Sequence, residues 1–113
     1  MPATLDRTLA ALAEPTRRRV VDLLRVRPRP AGELAAEFQM SPPAMSRHLR
    51  VLRLTGLVEE EHAERDDARL RVYRLRRQPF VQLRDWAAEV ESLWTDQLAN
   101  FKQHAESRKG PRS

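Results

Sequence analysis

A chain of 113 residues can bury one compact hydrophobic core but is short for two, so a single folding unit is expected. Its 41% hydrophobic and 33% charged residues are typical of a globular domain. The sequence shows no export signal and no apolar run near the roughly 20 residues of a membrane span, so the protein is expected to be cytoplasmic. The net charge of +5 favours a polyanionic partner, and the absence of cysteine excludes disulfides, thiolate metal sites and thiol redox switches.

The first residues predict two short helices. Leu5, Leu9 and Leu12 recur at steps of four and three and form the apolar stripe of a first helix. That helix is expected to end before Pro15, because a residue that precedes proline is disfavoured in helical conformation. Pro15 itself suits the first position of a second helix, whose apolar residues lie between positions 20 and 24.

A third short helix and a tight turn lead to the strongest helical pattern of the chain. Gln39 and Met40 are expected to form the turn, and Ser41 to cap a fourth helix that begins with two prolines. Gly56 is a natural stop at its C-terminus. These residues therefore predict two helices joined by a tight turn, the second of which runs over residues 42–55.

The fourth helix has two chemically different faces. One face is apolar and is expected to pack on the core, since its residues recur at steps of four and three. It consists of Met45, Leu49 and Leu52. The opposite face is mainly polar and basic and is available to a partner. The residues predicted to contact that partner are Pro43, Ser46, Arg47 and Arg50, with His48 on the flank.

Two extended segments follow and indicate a β-hairpin. Leu57 and Val58 begin the first strand, and the residues of the segment 69–75 alternate as the second. The charges of this hairpin are unevenly distributed, because residues 59–67 contain six acids against one arginine, whereas residues 68–78 contain five arginines and no acid. The two predicted strands are therefore of opposite charge.

The last part of the chain predicts one long helix after Pro79. Apolar residues recur there at steps of three and four from Phe80 to Phe101, and Trp86 widens the stripe. This apolar stripe is broader than expected for a surface helix of so small a monomer. We therefore interpret it as the core of a two-fold dimer interface; a hydrophobic ligand pocket is the alternative. Residues 1–105 are expected to form the domain, and residues 106–113 a disordered basic tail.

Two helices joined by a tight turn and followed by a hairpin occur in this order in a winged helix-turn-helix. We therefore predict a mainly α fold with a two-stranded β-hairpin wing, in which the second helix of the pair enters the major groove of double-stranded DNA. Arg47 and Arg50 suit that task, since a guanidinium binds guanine or phosphate through paired hydrogen bonds. The alternative is that these arginines are only the solvated face of a surface helix.

Three motifs in this order resemble the ArsR family of bacterial regulators, over residues 5–101. The motifs are residues 12–24, 41–58 and 72–75. The resemblance implies a homodimer that binds a palindromic operator as a repressor, with DNA contacts at Ser46, Arg47 and His48. It also implies that the first and last helices form the dimer interface. The residues expected at this interface are Leu5, Leu9, Leu12, Leu83, Trp86, Val90, Trp94, Leu98 and Phe101.

The predicted wing departs from the family pattern. Family wings commonly carry glycine and several arginines, whereas Asp66 and Asp67 lie at this tip. Acids near DNA lower the affinity, so only Arg65, Arg69 and Arg71 are expected to contact phosphates. The acidic run before the tip is interpreted as a solvent-facing strand balanced by neighbouring arginines; alternatively, it repels nonspecific DNA or receives a basic partner.

The metal sites of the family are incomplete in this sequence. Family members bind metals through cysteines near the third helix, or through Asp-x-His and His-x-x-His or His-x-x-Glu pairs on the last helix. Here Asp85 is followed two positions later by Ala87, and His104 three positions later by Ser107. The resemblance is thus to the branch that lacks metal sites; no metal or other cofactor is expected, and the effector is unknown.

The remaining residues give no support for an enzyme. The three glycines are isolated and form no phosphate-binding loop. The sequence also offers no combination of a nucleophile, a histidine and an acid that suggests a catalytic site. The serious alternative to an operator-binding protein is a winged-helix module that binds protein or RNA without operator specificity. The acidic first strand of the hairpin is the feature that favours this alternative.

Overall fold

The computed structural model describes the backbone of residues 3–65 and 68–109, together with the side chains of residues 3–62 and 71–105. The helices are α1 (Ala3–Leu12), α2 (Pro15–Leu24), α3 (Ala31–Glu37), α4 (Pro42–Leu54) and α5 (Arg77–Lys109), and the strands are β1 (Arg29–Pro30), β2 (Val58–Arg65) and β3 (Ala68–Leu75). The chain divides into two compact units, Met1–Val81 and Gln82–Ser113. The first contains α1 to α4 and the sheet, and the second contains most of α5.

The core of the first unit is built from the apolar sides of α1 to α4 and from the residues that lead into β2. Its most buried members are Ala11, Val20, Leu24, Leu34, Ala35, Met45, Leu49, Leu52, Leu57 and Val58. The predicted apolar face of the fourth helix is confirmed, since Met45, Leu49 and Leu52 are 0%, 1% and 0% exposed. Burial of a side chain of this size contributes about 1.5–3 kcal/mol. This face therefore attaches α4 firmly to the core.

The three strands form an antiparallel sheet in the order β1-β3-β2. The long pair, β2 and β3, is in register over eight residue pairs that begin with Val58 opposite Leu75. The predicted winged helix-turn-helix is confirmed, but β1 adds a third strand to the predicted hairpin. β1 consists of Arg29 and Pro30 only, and an edge strand of two residues that contains proline has no alternation from which to predict it.

Both helices of the helix-turn-helix end in the same hydrogen-bond pattern. After α3, the N–H of Met40 donates to a carbonyl of α3 at 2.9 Å, and Gln39 adopts φ 53°. After α4, the N–H of Leu57 donates to a carbonyl of α4 at 2.9 Å, and Gly56 adopts φ 81°. Both are Schellman motifs, in which one residue of left-handed conformation turns the chain back along the helix. The predicted turn and the predicted stop at Gly56 are thus confirmed.

The start of α5 differs from the prediction. α5 begins at Arg77 and not after Pro79. Pro79 occupies the third helical position, where the missing N–H costs no hydrogen bond within the helix. At its other end, α5 continues to Lys109 and thus into the segment predicted as a tail, while residues 110–113 lie outside the described residues. The division of the chain at residue 105 stays a prediction.

Candidate nucleic-acid interface

The first residues of α4 are suited to a helix start. Ser41 is the N-cap, and its hydroxyl accepts the N–H of Ala44 at 3.3 Å, as its predicted capping role requires. Pro42 and Pro43 occupy the first two positions, where no N–H donor is needed. None of the residues of α4 is acidic. The positive charges of this helix are therefore not neutralised by neighbours within it.

The outer face of α4 presents the residues predicted to contact DNA. Pro43, Ser46, Arg47 and Arg50 are exposed, whereas His48 is half-buried, with 23% of its side chain exposed. Within the described part of the chain, Arg47 and Arg50 form no side-chain hydrogen bond or ion pair. Both guanidinium groups are thus available to an external anion or hydrogen-bond acceptor.

Arg53, on the same helix, is held by the wing instead. Its Nη1 donates to Oε1 of Glu60 in β2 at 3.0 Å, and the hydroxyl of Tyr73 in β3 donates to the same oxygen at 2.9 Å. Arg71 lies 3.8 Å from the other oxygen of Glu60. Burial, and then the hydrogen bond to Glu60, raises the pKa of Tyr73, so its hydroxyl remains a donor at neutral pH. Glu60 thus links the end of α4 to both long strands.

The neighbouring acids of β2 are paired as well. Glu59 accepts from Nε of Arg74 at 2.6 Å, and Glu61 lies 3.4 Å from the same nitrogen. The hydrogen bond to Glu59 is the main reason that the pKa of Arg74 is raised. These pairs follow from the antiparallel register, which sets Glu59 opposite Arg74 and Glu61 diagonally across from it. The interpretation of an acidic strand balanced by arginines is confirmed for these residues, and the feature that favoured a protein or RNA partner is weakened.

The three arginines predicted to contact DNA from the wing do not have equal surroundings. Arg71 is exposed over 67% of its side chain, although Glu60 lies 3.8 Å away. Arg65 and Arg69 lie in β2 and β3, but their side chains are outside the described residues, as are residues 66–67 of the predicted tip. DNA contact by these arginines stays a prediction.

An acid at the start of α2 lies beside α4. Oε2 of Glu14 is 3.5 Å from Nδ1 of His48, and the same oxygen accepts the N–H of Arg17 at 2.9 Å as the N-cap of α2. This backbone hydrogen bond is the main reason that the pKa of Glu14 is lowered. Sequence reasoning missed Glu14 and Glu60 as partners of α4. The position of Glu14 before Pro15 marks a helix cap, but it does not reveal a tertiary contact.

The residues predicted at a dimer interface differ in exposure. On α1, Leu5 is 3% exposed, whereas Leu9 and Leu12 are half-buried. On α5, Leu83 and Trp86 are half-buried. The large exposed apolar side chains of α5 are Val90 at 51%, Leu93 at 63%, Trp94 at 61%, Leu98 at 51% and Phe101 at 74%. Leu5 therefore has little surface left for a partner, while the second half of α5 carries an apolar stripe that is exposed in the single chain.

No three His, Cys, Asp or Glu side chains lie close enough to hold a metal ion, as far as the described residues extend. Over the same part of the chain, no helix is both long and apolar enough to cross a membrane.

The helix-turn-helix, its wing and the basic outer face of α4 together define a winged helix-turn-helix protein of the DNA-binding class. Residues 12–61 match a family model described as a helix-turn-helix domain. The chain is 36% identical over 102 residues to the HTH-type transcriptional regulator Rv2034 of Mycobacterium tuberculosis, which covers 90% of this chain and 89% of that protein. It is also 32% identical over 56 residues to the transcriptional repressor SdpR of Bacillus subtilis, covering 50% of this chain and 62% of that protein.

A solved structure is similar along nearly the whole chain. The ArsR-like transcriptional regulator from Rhodococcus sp. RHA1 superposes with a TM-score of 0.75 at 30% identity, covering 93% of this chain and 93% of that one. The protein therefore belongs to the ArsR family of winged helix-turn-helix transcriptional regulators, and it is not an enzyme.

Proposed function

We propose that this protein is a repressor that binds a palindromic operator in double-stranded DNA as a homodimer, with α4 in the major groove. The observation that carries the proposal is the outer face of α4, where Arg47 and Arg50 are exposed and make no pair with the described residues. Repression is supported by the similarity to SdpR, which is named a transcriptional repressor.

On this proposal, the residues of α4 contact DNA according to their chemistry. Arg47 and Arg50 donate paired hydrogen bonds to guanine O6 and N7 or to phosphate oxygens. Ser46 bonds a base edge or a phosphate, and Pro43 contacts a thymine methyl group. His48 contacts DNA from the flank of the helix. Sequence preference therefore comes mainly from α4.

The wing supplies a smaller, sequence-independent part of the affinity. Arg65, Arg69 and Arg71 neutralise phosphates, but the only one of them with a described side chain, Arg71, has the carboxylate of Glu60 at 3.8 Å. A nearby acid reduces the free energy that a phosphate contact yields.

The homodimer is proposed to form through α1 and α5. Its support is the exposed apolar stripe on the second half of α5, which includes Trp94, Leu98 and Phe101. Patches of large apolar side chains mark protein interaction sites in soluble proteins. A two-fold dimer would present two α4 helices about one DNA turn apart, roughly 34 Å, which matches a palindrome.

Dimerisation is tested separately from DNA binding. Sedimentation velocity at micromolar concentration should give a dimer, and Trp94→Ala should weaken it at least about tenfold, since large aromatic residues dominate interface energies. Thr95→Ala, at an exposed neighbouring position on a different side of the helix, is the control and should leave the dimer intact. A wild-type protein that sediments as a monomer would show that the role assigned to α5 is wrong.

The protein is further proposed to belong to the branch of the family without metal sites. Support comes from Ala87 and Ser107, which stand where a ligand would complete the pairs with Asp85 and His104. Stoichiometric zinc should accordingly leave the DNA affinity unchanged. Release of DNA by zinc, reversed by a chelator, would contradict this part of the proposal.

Selection of bound sequences from a random pool of DNA duplexes tests the main proposal most directly. The expected product is a palindrome with half-sites about one helical turn apart, bound with a steep dependence on salt concentration. A pool that stays random, with shallow and sequence-independent binding, would overturn it.

A further inference from the structure

The contact between Glu14 and His48 joins two helices that are distant in sequence. Glu14 is the N-cap of α2, and His48 lies in the middle of α4, beside the residues proposed to contact DNA. The two groups approach to 3.5 Å between Oε2 and Nδ1, and both are largely shielded, with 34% and 23% of their side chains exposed. One nitrogen of the imidazole therefore lies beside a carboxylate from outside α4.

The chemistry of the two groups determines which nitrogen of His48 carries hydrogen. An ionised carboxylate only accepts hydrogen bonds, and the N–H of Arg17 on the same Oε2 keeps Glu14 ionised at neutral pH. The nitrogen that faces it is Nδ1, so the carboxylate favours the tautomer with hydrogen on Nδ1. In that tautomer Nε2 is the nitrogen left for another partner, because the two ring nitrogens point in different directions.

We propose that Glu14 is a positioning residue for DNA recognition, which fixes the orientation and the tautomer of His48 so that Nε2 is the atom offered to DNA. The inference rests on the proposed function, since it requires α4 to contact DNA. It resembles the way in which a carboxylate behind a metal-bound histidine fixes the ring and its tautomer. Glu14 itself does not touch DNA on this proposal; it acts through His48.

Two substitutions of Glu14 distinguish the effect of where its side-chain oxygen lies from the effect of its negative charge. Glu14→Asp keeps the charge and a residue type that caps helices well, but withdraws the carboxylate from His48 by one methylene. Glu14→Gln removes the charge but keeps an oxygen of the same reach for the Arg17 N–H and for Nδ1–H. If position matters, Glu14→Asp should weaken binding to the selected operator about three- to tenfold, and Glu14→Gln should weaken it less.

A double-mutant cycle with His48→Ala distinguishes an action through His48 from a general effect. We expect Glu14→Asp to have no effect on operator affinity in the His48→Ala background. Thermal unfolding of each variant tests the cap, and Glu14→Asp should melt within a few degrees of the wild type. An equal loss of affinity in both backgrounds, or no loss in either, would overturn the proposal.

Nitrogen-15 NMR of the imidazole rings provides a readout that a purely structural cap would not change. The protein has three histidines, so the ring of His48 can be assigned with single substitutions. In its neutral form His48 should be protonated at Nδ1 in the wild type and shift towards the Nε2 tautomer in Glu14→Asp. A wild-type ring protonated at Nε2 would contradict the proposal.

The proposed function and this inference fail differently. If Arg47→Ala weakens operator binding while Glu14→Asp leaves it unchanged, the protein binds DNA through α4 but Glu14 does not position His48. If the random pool yields no operator and Arg47→Ala has no effect, the proposed function itself is wrong.

Discussion

The helix α4 and the hairpin of β2 and β3 both carry several arginines, but those arginines have different surroundings. Arg47 and Arg50 on α4 make no side-chain pair with the described residues. In the hairpin, Arg71 and Arg74 lie within 4 Å of glutamates of the opposite strand, at 3.8 Å and 2.6 Å. Positive charge is therefore available to a polyanion at Arg47 and Arg50 of the helix, whereas the arginines described in the wing lie beside acids.

The difference has a simple geometric origin. Directly opposed residues of antiparallel strands, such as Glu59 and Arg74, have Cβ atoms about 4.5–5.5 Å apart, and diagonal neighbours, such as Glu60 and Arg71, are about 7–8 Å apart, within reach of long side chains. An acidic strand paired with a basic one therefore neutralises much of its charge. On a helix, the neighbours of a residue lie three and four positions away, and α4 contains no acid at any position. A cluster of arginines in a sequence thus favours DNA binding only when no acidic side chain of the folded protein pairs with them.

The largest effect is expected where α4 is attached to the core. Leu49→Ala should lower the free energy of unfolding by about 2–5 kcal/mol, because it leaves a cavity beneath the helix. Its side chain is 1% exposed, whereas the adjacent Arg50 is exposed. Arg50→Ala is the control and should change the free energy by no more than about 0.5 kcal/mol. Urea denaturation followed by circular dichroism measures both, and equal stabilities would show that α4 is not anchored by this face.

The next effect compares the two regions directly in DNA binding. Arg47→Ala and Arg50→Ala should each cost about 1–3 kcal/mol of binding free energy on the selected operator if they contact bases. Arg74→Ala should have little effect, because that guanidinium is already bound by Glu59 and Glu61. Fluorescence anisotropy at one fixed salt concentration measures all three. A larger loss for Arg74→Ala than for the α4 variants would reverse the comparison.

Removing an acid from the wing should free arginine side chains for phosphate contacts, as Arg47 and Arg50 are on α4. Glu60→Gln takes the negative charge from Arg53 and Arg71, so both become available to phosphates. We expect tighter nonspecific binding, with a slope of log affinity against log salt steeper by about 0.9 for each additional phosphate contact. Glu91→Gln, on the exposed surface of α5, is the charge-matched control. An unchanged slope in Glu60→Gln would mean that the wing does not approach DNA.

The smallest effect concerns the hydroxyl that joins the wing to Glu60. Tyr73→Phe should cost about 1 kcal/mol of stability at neutral pH, because it removes one hydrogen bond to a carboxylate. Since folding raises the pKa of Tyr73 above its ordinary value of 10.0, the contribution of this group is complete below that pH and declines as the pH rises through the folded-state value. The stability difference between wild type and Tyr73→Phe should therefore shrink in alkaline solution. A difference that grows above pH 10 would contradict the hydrogen bond.

Much of α4 could be predicted from the sequence because its signals are local. Ser41, the two prolines after it and Gly56 mark its ends, and the spacing of Met45 and Leu49 identifies its buried face. Each of these signals depends on the backbone geometry of a single helix. The second strand of the long hairpin was predictable for the same reason, from the alternation of its residues.

Two other features carried no local signal. The strand β1 has only Arg29 and Pro30, and its pairing with β3 depends on how the chain after α2 returns to the sheet. α5 begins two residues before Pro79. Proline is tolerated throughout the first turn of a helix, so its position does not fix the first helical residue. Neither boundary could be derived from periodicity.

The sequence by itself determined which residues α4 turns away from the core, since helical spacing alone separates Arg47 and Arg50 from Leu49. Only the tertiary structure decided which charged residues around that face are already occupied. Glu60 reaches Arg53 through the packing of β2 against α4, and Glu14 reaches His48 because the start of α2 lies beside α4. Such contacts join residues from different elements, so their formation depends on how those elements pack and not on spacing within any one of them.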